Sequence, residues 1–203
     1  MISQIRDFRP GVLSREQIKT LISQGFVEGA QKEPGFSSLN LHLGNTCWVM
    51  KGGIKCSSDI PYSEVLKNER WVDEVKSIHP RNGLDLNRGT TYVIQLQEGI
   101  RLRKDSGMHA YATGKSSIGR LDVLTRLITD HGDAYDTVPE GSSGSLYVEV
   151  TPITFPIRVR PGLALNQIRF FRGKPSLSKL SADQYELYPE MLAGGNSSTP
   201  DRS

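Results

Sequence analysis

Short segments of alternating or apolar residues, each closed by a glycine or proline turn, run from about residue 38 to residue 172 and leave little room for long helices. Ser38-Leu39-Asn40-Leu41-His42-Leu43 alternates polar and apolar and stops at Gly44. A period of two buries one face and exposes the other, which is the strand signature. Residues 47–50 extend it, and Lys51-Gly52-Gly53 turns. Further strand candidates lie at 91–96, 107–112, 145–150, 157–159 and 163–171. Strands spaced in this way predict a mainly β domain, a sandwich or a barrel. The 20 glycines and 11 prolines supply its turns. One helix is clear. Ser14 is a good N-cap, Gln17 completes a capping box, Ile18, Leu21 and Ile22 follow at helical spacing, and Gly25 stands where a C-terminal glycine belongs. Residues 61–71 are mixed and admit a second helix.

A chain of 203 residues makes one domain, or one with a tail. At this size roughly 70% of the unfolded surface can be buried, so neither a disulfide nor a metal is needed to fold. Cys47 and Cys56 are too few and too far apart for a disulfide scaffold or a Cys-x-x-Cys site. A net charge of +3 with no basic run argues against nucleic acid as a partner. The first ten residues carry Arg6, Asp7 and Arg9 without an apolar signal core, and no apolar run reaches membrane-spanning length. The expectation is a soluble, cytoplasmic protein. Beyond residue 172 the pattern weakens, so the reading is one domain over 1–172 and a partly disordered tail over 173–203.

Gly114-Lys115-Ser116-Ser117-Ile118-Gly119-Arg120 concentrates a glycine, two hydroxyls and two cations in what reads as one helical turn. Such a turn offers N–H groups, hydroxyls and fixed positive charge to one small anion, and phosphate uses them all. It is not a P-loop: the glycine needed five positions before the Gly-Lys pair is His109. A solvated helix start is the bland alternative.

Two other features hold carboxylates. Asp130-His131-Gly132-Asp133-Ala134-Tyr135-Asp136 places three acids within seven residues. The offsets do not match a calcium loop, so a solvated turn competes with metal binding. In Leu146-Tyr147-Val148-Glu149-Val150, three apolar residues share one face while Tyr147 and Glu149 share the other. Glu149 either faces solvent or aims into a pocket, and the local pattern fits both.

The order of these pieces resembles the dCTP deaminase branch of the dUTPase-like superfamily over residues 11–172. The series runs Gly11-Val12-Leu13-Ser14, Ser38 to Gly44, Gly-Lys-Ser-Ser-Ile-Gly-Arg-Leu, Gly141-Ser142-Ser143-Gly144, the Glu149 strand and Pro161-Gly162-Leu163-Ala164-Leu165-Asn166-Gln167-Ile168. It is most similar to the first copy of a longer bacterial variant that contains two dUTPase-like copies. The resemblance implies a distorted β-barrel (β-clip) with a few short helices, assembled as a homotrimer with active sites between subunits. It implies Ser116, Arg120 and Glu149 as catalytic residues and Lys115 and Ser117 as phosphate contacts. It also implies Asp136 on the sugar hydroxyl, Gln167 near the phosphates and Mg²⁺ bridging the triphosphate oxygens. The implied reaction converts dCTP to dUTP and ammonia, supplying dUTP for thymidine nucleotide synthesis. Glu149 would take a proton from water and return it to the leaving amine. Arg120 would orient Glu149, and Ser116 would hold the water or the ammonia. A zinc-dependent route needs His-x-Glu and Pro-Cys-x-x-Cys, and neither is present, so the deaminase reading requires no zinc.

Some positions depart from the family. Its strand motif reads Ser-x-Asp-Leu-Arg-Leu-Gly, whereas this chain has Asn40 and His42 in place of the acid and the arginine. Tyr185 and Tyr188 stand in a tail without the usual Tyr and Lys pattern. A dUTP diphosphatase on the same fold and a non-catalytic, nucleotide-binding regulator are the alternatives.

Overall fold

The computed structural model describes residues 10–30, 33–54, 57 and 59–173. The expected tail, apart from Gly173, and Cys56 lie outside the described residues. Among the described residues twelve strands and three short helices follow one another: β1 Gly11–Val12, α1 Arg15–Ser23, β2 Val27–Glu28, β3 Leu39–Met50, α2 Tyr62–Val65, β4 Val72–Ser77, β5 Leu84–Leu86, β6 Thr91–Arg101, β7 Met108–Gly114, α3 Ser116–Gly119, β8 Val123–Thr129, β9 Thr137–Val138, β10 Ser143–Pro152, β11 Ile157–Val159 and β12 Ala164–Arg172.

The capping box forms at α1, where the Ser14 N–H donates to Gln17 Oε1 at 2.9 Å. Ile18 and Leu21 are buried, and Gly25 leaves the helix at φ +74°. The region 61–71 contains only the single turn α2, with Tyr62 buried beneath it. Six strands lie where the sequence suggested none: the longer β4 and β8, the three-residue β5, and the two-residue β1, β2 and β9.

Hydrogen bonding links the strands in the order β8-β10-β6-β3-β12-β7-β9, with β1 beside β12, β2 beside β6 and β4 beside β3; β5 and β11 pair separately. The register is antiparallel throughout. β3 is the joint between the two halves of the sheet. Its first residues, Leu39 to His42, pair with β12, and Cys47 to Met50 pair with β6 and β4.

The ends of this order curl towards each other and meet at Asp136. Its carbonyl accepts from Ala112 N–H of β7 (2.8 Å), and its N–H donates to the Leu127 carbonyl of β8 (2.9 Å). Its Oδ1 accepts from Leu127 N–H (2.7 Å). A nearly closed antiparallel barrel results. Closure removes the open edges that would otherwise invite pairing with another chain.

The barrel interior holds the main core, including Leu41, Ile94, Leu127, Val148, Ile168 and Phe170. A second apolar layer lies outside the sheet, where Tyr62, Leu66, Met50 and Val72 cover Val93, Ile128 and Tyr147. The Tyr147 ring meets Trp48 edge-on at 6.1 Å and Tyr62 at 5.7 Å. This layer decides the surroundings of Glu149, because Tyr147 and Glu149 lie on the face that it covers.

Candidate active site

The Gly114–Arg120 turn folds as the sequence suggests. β7 ends at Gly114, and the Lys115 N–H donates to the Leu165 carbonyl of β12 at 3.0 Å, which anchors the turn to the barrel. The Lys115 carbonyl then accepts from Ile118 and Gly119, closing the single turn α3. Ser116, Ser117 and Arg120 are exposed, and Lys115 is half-buried. The first N–H groups of a helical turn have no intrahelical partner, so the hydroxyls and N–H groups here are open to an anion. Gln167 lies across the β7–β12 ladder from Thr113, one residue before Gly114, and its Oε1 accepts from Ser38 Oγ at 3.1 Å.

Glu149 stands elsewhere in the chain's own fold. It lies in the middle of β10 with Arg126 of β8 and Val93 of β6 as its cross-strand partners. Its side chain is 2% exposed. Burying a carboxylate in this way is tolerable only with charge and hydrogen bonds supplied around it. Arg126 supplies them, donating from Nε at 2.9 Å and from Nη2, both to Oε1. Tyr135 Oη is within donating distance of two acceptors, Oε2 at 3.3 Å and the Ile54 carbonyl at 2.7 Å. The guanidinium rests on the Tyr135 ring, 4.0 Å from its centroid. Gly53 completes the enclosure: a Cβ there would sit 3.4 Å from Arg126 Nη2 and 3.8 Å from Glu149 Oε2. Burial works against the Arg126 charge, but the hydrogen bond and charge of Glu149 more than offset it, so the Arg126 pKa stands above its ordinary value.

Asp136 borders this cluster and is also bonded to β7, through the Ala112 N–H two residues before Gly114. Burial pushes its carboxyl pKa up and the Glu149 charge adds to that, against the opposing pull of the Leu127 N–H and Arg126. Its backbone is left-handed, at φ +59°.

The structure therefore divides the expected residues into two groups. Lys115, Ser116, Ser117, Arg120 and Gln167 gather about the start of α3, whereas Glu149 and Asp136 sit with Arg126 and Tyr135. Among the described residues no hydrogen bond or ion pair joins Ser116 or Arg120 to Glu149. Val123 opens β8 just after the turn, and three residues of strand, about 10 Å, separate it from Arg126. A polar groove of about 310 Å³ lies between β2, β6 and the start of β10, and none of the seven expected residues lines it. Sequence reasoning missed Arg126 and Tyr135. The available signal for Arg126 was its place on an alternating segment, Val123, Thr125 and Leu127 inward and Arg126 outward. Among the described residues no three His, Cys, Asp or Glu side chains gather as metal ligands.

A nearly closed β-barrel that carries a polar turn after β7 and a caged carboxylate on β10 defines the structural class. The particular family follows from comparison with known proteins. Residues 9–174 match the family model described as the 2'-deoxycytidine 5'-triphosphate deaminase (DCD) N-terminal domain. The chain belongs to the dCTP deaminase family. It is similar to the "dCTP deaminase, dUMP-forming" of Nocardioides sp., at 34% identity over 135 residues that cover 64% of this chain and 60% of the relative. Among solved structures it is similar to the 2'-deoxycytidine 5'-triphosphate deaminase from Agrobacterium tumefaciens. There the TM-score is 0.73 at 32% identity, over 81% of this chain and 47% of that one. The chain thus spans between about half and three fifths of the length of these relatives. Among the described residues no helix is long and apolar enough to cross a membrane.

Proposed function

We propose that this chain contributes to a zinc-independent deamination in which dCTP and water give dUTP and ammonia, with Glu149 as the general base and acid. The observation that carries the reading is the caging of Glu149. A buried carboxylate with an arginine on one oxygen has a fixed direction in which to accept a proton. Water is a poor nucleophile towards C4 of cytosine and needs a positioned base. One water proton passes through Glu149 to the 4-amino group as the C4–N bond breaks, and the other ends on N3. The C4 oxygen remains as the carbonyl.

The other half of the site is the turn. Lys115, Ser117 and the free N–H groups suit the triphosphate, with Gln167 beside them. Ser116 would hold the water or the departing ammonia, and Arg120 would reach towards the base. Asp136 has a second carboxylate oxygen for the sugar hydroxyl. Anchoring the phosphates converts binding into orientation of the ring. Magnesium would arrive on the triphosphate as part of the substrate, since residues 114–120 include no carboxylate to hold it. The separation of Ser116 and Arg120 from Glu149 within one chain supports a site shared between copies, as in a homotrimer.

A second reading adds one step. The Nocardioides relative is named as dUMP-forming, and on that pattern the dUTP would be hydrolysed further to dUMP and diphosphate. Incubating the purified chain with dCTP and Mg²⁺, and following ammonia and diphosphate together, tests both. Ammonia without diphosphate supports plain deamination, equal amounts support the dUMP-forming route, and no ammonia from a folded chain overturns the proposal. Glu149→Gln should abolish ammonia release.

A further inference from the structure

Within the chain, the cation on Glu149 comes from the adjacent strand, and this copy's own Ser-Ser-x-x-Arg turn makes no hydrogen bond or ion pair with it. Arg126 and Glu149 face each other across the β8–β10 ladder. Both Nε and Nη2 of Arg126 donate to one oxygen, Oε1, and so occupy its two lone pairs. Oε2 is treated differently. Its neighbour Tyr135 Oη has a single proton for two acceptors, the Ile54 carbonyl at 2.7 Å and Oε2 at the longer 3.3 Å, so Oε2 receives at most one long hydrogen bond where Oε1 receives two donors. Oε2 thereby keeps the capacity to take a proton.

The fork is itself held in place. The Tyr135 ring supports the flat face of the guanidinium at 4.0 Å, and Gly53 lies beside Nη2, where an added Cβ would come to 3.4 Å. Arg126 is 34% exposed while Glu149 is 2% exposed, so the arginine is the element through which the carboxylate meets the outside. Two prongs of a planar, stacked guanidinium converging on Oε1 fix that oxygen from two directions; a lysine ammonium, a point charge on a flexible stem, holds it less closely.

We propose that Arg126 is a positioning residue for the deamination: by saturating Oε1 it leaves Oε2 as the one oxygen that receives the proton of the attacking water and returns it to the leaving amine. This rests on the function proposed above, and it adds a residue that the motif comparison does not supply. Water's oxygen bonds to C4 while its proton moves to Oε2. The same proton then goes to the 4-amino nitrogen as the C4–N bond breaks, and the second water proton ends on N3, so atoms and charge balance.

The test uses the full chain with dCTP, measuring kcat, KM and the melting temperature of each variant. Arg126→Gln should lower kcat on the order of 10²-fold, the cost of a misplaced reacting group, while KM for dCTP stays within about twofold. Arg126→Lys should recover only part of the loss. In Arg126→Ala, added guanidinium should restore kcat at concentrations that leave the melting temperature unchanged, an outcome that a merely structural tie between β8 and β10 would not produce. A folded Arg126→Gln variant whose kcat stays within about threefold of the parent overturns the proposal. If Arg126→Gln does not fold, the other two variants decide: full kcat in Arg126→Lys, or no rescue of Arg126→Ala by guanidinium, overturns it. A parent chain that releases no ammonia overturns the proposed function and this role together, whereas an active parent with an indifferent Arg126 overturns this role alone.

Discussion

Glu98 of β6 holds His42 of β3 at two points, accepting from the backbone N–H at 2.7 Å and contacting the ring Nδ1 at 2.6 Å. Both side chains are sealed from solvent. The contact sits where β3 passes from pairing with β12 to pairing with β6, so one carboxylate satisfies a backbone donor that the change of partner leaves over. His42 occupies the position where the family's motif has arginine, and in this chain the position serves the barrel's internal framework.

Removing one partner of a buried pair leaves the other uncompensated. Glu98→Ala should therefore cost about 3–5 kcal/mol of stability, read as a fall in the urea midpoint with little change in slope. Glu98→Gln, which keeps an acceptor for the His42 N–H, should cost less.

The division of the site between two places predicts complementation. Ser116→Ala and Glu149→Gln variants, each inactive alone, should regain activity when denatured together and refolded as a mixture. If each site takes its serine from one copy and its glutamate from the next, random assembly gives about a quarter of parental activity. A mixture as inactive as its components would place both groups in one chain's site.

Burial raises the folded-state pKa of Asp136 above its ordinary value. A carboxyl shifted in this direction binds its proton more tightly when folded, so its contribution to stability is present at low pH. That contribution is lost as pH rises from the ordinary aspartate range through the raised value. Asp136→Asn is neutral at every pH and keeps an oxygen for the Leu127 N–H. Its melting temperature relative to the parent should rise across that window and level off above it. A difference that does not vary with pH would contradict the shift.

Cys47 lies inside the barrel with no exposed surface, and burial pushes its thiol up to about 12. The reactive thiolate is then a tiny fraction at pH 8, and reagents have no path to it. In a Cys56→Ser background, a disulfide reagent should label the folded chain only at the rate of unfolding and label it at once in denaturant.

Local signals account for much of what the sequence revealed. The capping box of α1 and the alternation in β10 depend on neighbours a few residues apart, and both are visible without the fold. β8 was hidden because its alternation is disguised: Thr125 is polar yet buried, and Leu124 is apolar yet exposed. The pattern around Glu149 revealed that it faces away from the main core. It could not reveal that Met50, Tyr62, Leu66 and Val72 cover that face as a second apolar layer. Arg126 and Glu149 are 23 residues apart, and Glu98 and His42 are 56 apart. Such pairs arise from register between strands, to which each segment alone carries no pointer. The turn at 114–120 was legible as chemistry, but its distance from Glu149 was not.

The seam at Asp136 has a consequence for how occupancy could be sensed. One residue closes the barrel through its carbonyl, its N–H and one carboxylate oxygen, and among the described residues the other oxygen, Oδ2, has no partner. A sugar hydroxyl bound there would brace the same residue that holds β7 to β8. The amides of Ala112 and Leu127 then become reporters, and their exchange with deuterated solvent should slow as nucleotide binds, so that recognition of the ligand registers as the tightness of the barrel.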